Sequence, residues 1–218
     1  MSIPRFSVDE FRVVDHPLIV LRHVDVATIV LGSTQDESLI NASSGVEIVR
    51  RRGGGGAVFL DAECVTWIDL WIPRDDPCHR SDVQTAMVLI GELFRDALGQ
   101  LGVHGATVLD ATHRATPSAV CFASSGPGEV MVGSNKLVGM TAWRGREGAL
   151  FQTALYQQQP TPLHTLLAIP EREPTEAVAT LASLGIEDFS GESLAAELAS
   201  ALRLLGSKTP EITHARLS

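Results

Sequence analysis

The chain has 218 residues, 44% of them hydrophobic and 20% charged, with a formal net charge of −9. That length gives one large domain, or one domain with a small appendage, able to bury a substantial core. The acidic balance excludes general nucleic-acid binding, because nothing would neutralise successive phosphates along a strand.

The first residues, "MSIPRFSVDEF", lack the charged-then-apolar layout of a secretion signal, and no apolar run is long enough to cross a membrane. Three cysteines, Cys64, Cys78 and Cys121, cannot all pair and have no metal-ligand spacing, so a reduced, cytoplasmic setting is expected. Fifteen of the seventeen basic residues are arginine, which makes Lys136, one of two lysines, conspicuous.

In chain order, "PLIVLRHVDVATIVLG" (17–32) reads as two short strands with Asp25 at a turn. "GVEIVRR" and "GAVFL" read as the next strand pair, with "RRRGGGG" between them. "CVTWIDLWIP" is a strand rich in β-branched and aromatic residues, ended by Pro73 and the turn-like "RDDP". A helix follows, with Ser81 as its N-cap. Val83, Ala86, Met87, Ile90, Leu93, Phe94, Ala97 and Leu98 recur at helical spacing, and Gly99 or Gly102 ends it. Four more strand regions are expected at "ATVLD", "SAVCFAS", "EVMVG" with "KLVGMTA", and "ALFQTALYQ". "PTEAVATLASLG" and "ESLAAELASALRLLG" are predicted helices closed by Gly185 and Gly206, and the last dozen residues are predicted to fray. Strands dominate the first two thirds without βαβ alternation, which is an α+β class or a mixed sheet.

Consecutive glycines let a ligand lie directly on the backbone, and guanidinium groups make two-point contacts to phosphate or carboxylate. Arg50, Arg51 and Arg52 followed by Gly53 to Gly56 therefore suit an acyl-phosphate such as an adenylate; the plainer reading is a hairpin with a basic rim. No Gly-Lys-Ser/Thr ends the run, so it is not a P-loop, and a strand rather than a helix follows it. In "GEVMVGSNKLVGMTAWR", Gly133 and Asn135 mark a turn that delivers Lys136 to the next strand. There its ammonium can face an oxygen where negative charge develops, or simply be solvated. Gly139 indicates that something approaches the strand closely. Cys121 in "SAVCFASSGPGE" is a buried inert cysteine or a thioester-forming nucleophile, the second needing a nearby cation. His104, His113 and His164 are isolated, and Asp75, Asp76 and Asp82 read as a solvated acidic turn, so no metal site is expected.

Together these segments resemble the catalytic domain of the lipoate–protein ligase A family, relatives of octanoyltransferases and biotin–protein ligases. The first block is Arg50 to Asp61, where the family has two arginines, two variable or small polar positions, three glycines and an apolar strand ending His-Asp. The second, "GSNKLVGMTAWRGREGALFQTALY", matches a Gly-x-Lys-Ile/Leu-x-Gly strand, an arginine-bearing turn and another strand. Similarity spans about Leu21 to Leu167. The departures are Gly53 for the usual serine or threonine, Leu60 for histidine, and Thr153-Ala154 for His-Gly.

The resemblance implies a largely antiparallel central sheet flanked by helices. A biotin/lipoate ligase-like catalytic domain would occupy 1–170, with 171–218 a helical segment packed on it. It implies adenylation of lipoate or octanoate by ATP and Mg2+, then transfer to a lysine of a lipoyl carrier domain or glycine-cleavage H-type protein. Arg50 and Arg51 would meet the phosphate, Gly54, Gly55, Gly56 and Ala57 would cradle the acyl-adenylate beside Gly139, and Lys136 would contact the activated carbonyl. Certain related octanoyltransferases carry a Cys-Phe segment before the lysine block, as Cys121-Phe122 does here. In that version Cys121 takes octanoate from acyl carrier protein and no cofactor is used. An accessory ligase subunit and a non-catalytic acyl-binding homologue are the further alternatives; neither nucleic acid nor membrane is an expected partner.

Overall fold

The computed structural model describes residue 11 and residues 14–61, 64–168 and 178–217. Its strands are β1 (Leu18–His23), β2 (Thr28–Leu31), β3 (Glu47–Arg50), β4 (Val58–Leu60), β5 (Val65–Pro73), β6 (Ala106–Val108), β7 (Val130–Val132), β8 (Asn135–Arg144), β9 (Gly148–Tyr156) and β10 (Glu211–Arg216). The helices are α1 (Val83–Gln100) and α2 (Gly191–Leu204). Seven strands form the main sheet in the order β10-β1-β5-β9-β8-β7-β6, and β3-β2-β4 form a small one. Pairing is antiparallel except β1 with β10 and β2 with β3, so the expected antiparallel-dominated α+β class holds.

β5 and β9 are buried at every position, as a sheet covered on both faces requires. On one face α1 and α2 pack Phe94, Leu98, Leu194 and Leu198 against Ile68, Leu70, Val138 and Phe151. On the other, Val30, Val58 and Leu60 of the small sheet pack against Trp67, Ala154 and Tyr156, and the Tyr156 hydroxyl donates to the carbonyl of Phe59. The two sheets are therefore tied face to face.

The α1 stripe buries Ala86, Ile90, Leu93, Phe94, Ala97 and Leu98. The N-cap is Asp82 rather than Ser81, its carboxylate accepting from Thr85 N at 2.8 Å, and Val83 is 42% exposed. β1 and β2 belong to different sheets, and β3 and β4 flank β2 instead of pairing with each other. Burial of all four β2 residues makes a central strand of it.

Three local expectations are corrected. "SAVCFAS" is no strand: Val120 makes one bridge to Ala57 and a 3-10 turn follows over Cys121–Ala123. Of the predicted helix 174–185, the described part runs alongside the main sheet through bridges Val178–Lys136 and Tyr156–Thr180, then forms a 3-10 turn, Ala182–Leu184. Pairing with β-branched Val178 and Thr180 outweighs alanine's helix preference there; the rest lies outside the described residues. The final residues form β10, whose ends are held by Glu211 N to Pro17 O and Leu217 N to His23 O.

Candidate functional site

The arginine–glycine segment folds onto itself. Arg51, 2% exposed, donates through Nε and Nη2 to Gly54 O (3.2 and 2.7 Å), through Nη2 to Gly56 O (2.7 Å) and through Nη1 to Val30 O (3.3 Å). Arg50 donates to the carbonyls of Gly32 (3.1 Å) and Gln35. Guanidinium groups expected at a phosphate thus grip main-chain oxygens and hold the loop's shape. Burial lowers the Arg51 pKa, against the pull of the negative charge that the neighbouring Cys121 sulfur carries when ionised.

The glycines divide by task. A Cβ on Gly56 would lie 2.6 Å from Cys121 N and from the Val120 carbonyl carbon, so this glycine admits another stretch of backbone. Ala57 completes the contact, donating its N–H to Ala119 O (2.7 Å) and accepting from Cys121 N (2.8 Å). Gly55 has φ +89, and a Cβ on Gly54 would meet nothing within 4 Å. Gly54 and Gly55 are the exposed pair of the run.

Lys136 follows the turn at Gly133 (φ +60) and is 1% exposed, so it is not a solvated turn residue. Its Nζ donates to Glu129 Oε1 (2.6 Å), to the carbonyl of Cys121 (2.5 Å) and, at 3.4 Å, to Ser124 Oγ. The Phe122 ring centroid is 5.6 Å away. Glu129 also accepts from Gly126 N at 2.9 Å; burial pushes its carboxyl pKa up, against the pull of Lys136. Sequence reasoning missed Glu129. The signal was the β7–β8 hairpin, which pairs Met131 with Lys136 and leaves Glu129 two residues away on the lysine's side.

Cys121 is 8% exposed and borders a tight cleft, with an interior of only about 10 Å³, together with Arg51, Val58, Trp67, Gly139, Thr141, Gln152 and Ala154. The close approach at Gly139 is the Cys121 thiol itself, whose Sγ would lie 3.0 Å from a Cβ there. Gln152 and the residues behind it were also missed. Asp69 sits on central strand β5, 1% exposed, and accepts from Arg22 Nε (2.8 Å), Trp67 Nε1 (2.8 Å) and Gln152 Nε2 (3.2 Å). Burial raises the Asp69 pKa and these donors oppose the rise. A carboxylate inside a strand of hydrophobic neighbours was the available clue.

The structure therefore brings Arg51, Gly56, Ala57, Cys121, Lys136 and Gly139 together, while Arg50 points into the loop at Gly32 and Gln35. Asp82 caps α1, and Asp76 accepts from Cys78 N and the Ser207 hydroxyl. Among the described residues, no group of three or more His, Cys, Asp or Glu is placed to hold a metal, and no helix is long and apolar enough to cross a membrane.

Comparison with solved structures finds the same fold. A T. acidophilum protein with bound lipoic acid is 18% identical, with 95% of this chain and 80% of that chain covered and a TM-score of 0.66. A lipoate-protein ligase A bound with ATP is 17% identical over 100% of this chain and 90% of its own, with a TM-score of 0.66. A bi-partite lipoate protein ligase from Thermoplasma acidophilum, studied with its E2 lipoyl domain, is 15% identical over 96% and 79%, with a TM-score of 0.63. No curated protein matches. Residues 6–202 match the model of the lipoyl protein ligase A/B catalytic domain, and on that span the chain belongs to this family.

Proposed function

We propose that this chain joins a lipoyl or octanoyl group to the lysine ε-amine of a lipoyl carrier domain, with Cys121 holding the acyl group between donor and acceptor. One observation carries the reading: the Cys121 side chain borders the cleft beside Arg51 while Lys136 Nζ grips the Cys121 carbonyl. Family membership and the T. acidophilum relative studied with its E2 lipoyl domain support the acceptor class.

In the first step Cys121 sulfur attacks the thioester carbonyl of an acyl carrier protein. A C–S bond to Cys121 forms, the bond to the carrier's sulfur breaks, and the Cys121 proton leaves with the carrier thiol. In the second, the neutral carrier-domain amine attacks the new thioester; the amide C–N bond forms, the C–S bond breaks, and the amine's proton returns to Cys121. Each step builds negative charge on the acyl oxygen within the field of Arg51 and Lys136. Groups already fixed by their own hydrogen bonds reorganise little as that charge appears.

A second reading is the acyl-adenylate route, in which the acyl carboxylate displaces pyrophosphate from ATP and the amine then displaces AMP. Its support is the exposed Gly54–Gly55 backbone, next to cleft residue Thr141, whose hydroxyl donates to Gly54 O at 3.0 Å, together with a structural relative that binds ATP. Among the residues lining the cleft none is a carboxylate, so Mg2+ would arrive on the phosphates of ATP. Intact-protein mass spectrometry separates the routes. Incubation with octanoyl carrier protein should add one acyl group, and Cys121→Ser should lose it. An adduct unchanged in Cys121→Ser, or acyl-adenylate formed only with ATP, sinks the thioester route. Acyl binding without turnover in either incubation would leave a binding protein.

A further inference from the structure

Gln152 lies on β9 at the cleft, 2% exposed, and its Oε1 is a buried acceptor with no hydrogen-bond partner. An unpaired buried acceptor carries the full cost of its lost hydration. The orientation of the amide is settled by its neighbours. Nε2 donates to Asp69 Oδ1, which also accepts from Trp67, while Asp69 Oδ2 accepts from Arg22. Flipping the amide would turn its oxygen onto a carboxylate, so Oε1 faces away from Asp69. The nearby donors are committed elsewhere: Thr141 Oγ1 to Gly54 O, and the Arg51 guanidinium to three carbonyls.

We propose that Gln152 selects acyl groups bearing a hydrogen-bond donor, a hydroxyl or thiol, part-way along the chain. The proposal rests on the reading of the cleft as an acyl site. Register sets where the donor belongs. Gly139, against which the Cys121 sulfur packs, pairs with Ala154, and Thr141 pairs with Gln152. Two strand residues separate them, roughly 7 Å, which corresponds to roughly five or six carbons of an extended chain. A dihydrolipoyl group places a thiol at that distance from its carboxyl carbon, whereas an octanoyl group, and the closed disulfide ring of a lipoyl group, offer no donor. Sites built to hydrogen-bond a substrate group discriminate against analogues lacking it, because the protein's own polar group is then stranded.

The test is calorimetric binding of octanoate, lipoate, dihydrolipoate and 6-hydroxyoctanoate to the full chain and to Gln152→Leu. In the unaltered protein, 6-hydroxyoctanoate and dihydrolipoate should bind about tenfold more tightly than octanoate. In Gln152→Leu that preference should vanish and octanoate should gain. Equal or tighter octanoate binding in the unaltered protein overturns the proposal, and that comparison stands even if the variant does not fold. A preference that survives in folded Gln152→Leu overturns it too, assigning the oxygen to a structural role. If none of the four ligands binds, the acyl-site reading fails first and this proposal falls with it.

Discussion

At the scale of single residues, the Lys136–Glu129 pair limits how the lysine can be tested. Both side chains are almost wholly out of water, 1% and 6% exposed, with Nζ and Oε1 2.6 Å apart. Removing one partner of such a pair leaves an uncompensated buried charge, at a cost of about 3–5 kcal/mol. Lys136→Met should therefore lose stability as well as transfer, and its activity alone would say little. The double variant Lys136→Met with Glu129→Gln removes both charges and should recover most of the stability while transfer stays absent. Urea unfolding beside a transfer assay checks this; recovered transfer in the double variant would show that the ammonium plays no part in the chemistry. The pair also has a pH signature. Burial raises the folded Glu129 value above its ordinary 4.5, so across that window the folded state holds more protons than the unfolded one. Stability from this group is greatest below the ordinary value and falls as pH rises through the folded one. Urea midpoints taken from about pH 4 to about pH 8 should show a decline in the unaltered protein that is shallower in Glu129→Gln. Parallel profiles would mean that Glu129 has an ordinary affinity for its proton.

The loop between β3 and β4 makes the corresponding argument at the scale of an element. Four consecutive glycines look interchangeable in the sequence, yet each meets different surroundings. Gly54→Ala places its methyl in open space and should leave the stability within about 0.5 kcal/mol of the original. Gly56→Ala drives a methyl into the Val120–Cys121 backbone, which cannot rotate aside, and should cost about 3 kcal/mol or more. Equal midpoints for the two variants would mean that the Cys121 turn is not seated on the loop. The same loop shows where sequence reasoning stops. The strands "CVTWIDLWIP" and "ALFQTALYQ" and the α1 stripe were legible, because apolar periodicity specifies them; the arginine–glycine block and Lys136 were expected at one site only through the family resemblance, and whether a cation reaches Cys121 was not legible. Nor were the partners of Arg50 and Arg51. A guanidinium suits a carbonyl as well as a phosphate, and only the backbone path of residues 30–35 decides between them. Glu129 and Gln152 matter through register with distant residues, and register appears only once the hairpin and sheet are formed. The last strand, β10, was missed because its partner β1 lies almost a full chain length away and its own residues alternate weakly.

On the scale of the whole molecule, the cleft is a seam between two separately built sheets. Its floor is β5, β8 and β9 of the main sheet, through Trp67, Gly139, Thr141, Gln152 and Ala154; its roof is Val58 of the small sheet, Arg51 of the loop before it, and the Cys121 turn. Beside it, Trp67 and Tyr156 on one side and Val30 and Leu60 on the other close the apolar contact. A slender acyl chain entering that tight seam would part the sheets slightly, touch both of them, and bind only the folded arrangement. Such a ligand stabilises by mass action, about 2.7 kcal/mol when its concentration is a hundred times its dissociation constant. For a chain of this size that corresponds to a rise in thermal midpoint of about 5–10 °C. The rise should grow with ligand concentration and shrink in Gly139→Leu, whose side chain would crowd the Cys121 sulfur, 3.0 Å from a Cβ there, and the Phe122 ring, and so obstruct the seam. A cleft that were merely a packing fault would behave differently: octanoate or lipoate would leave the midpoint of the unaltered chain where it was. Differential scanning of the unaltered chain and Gly139→Leu, each with and without ligand, distinguishes these cases, and a midpoint indifferent to every acyl ligand would remove the seam as the binding site.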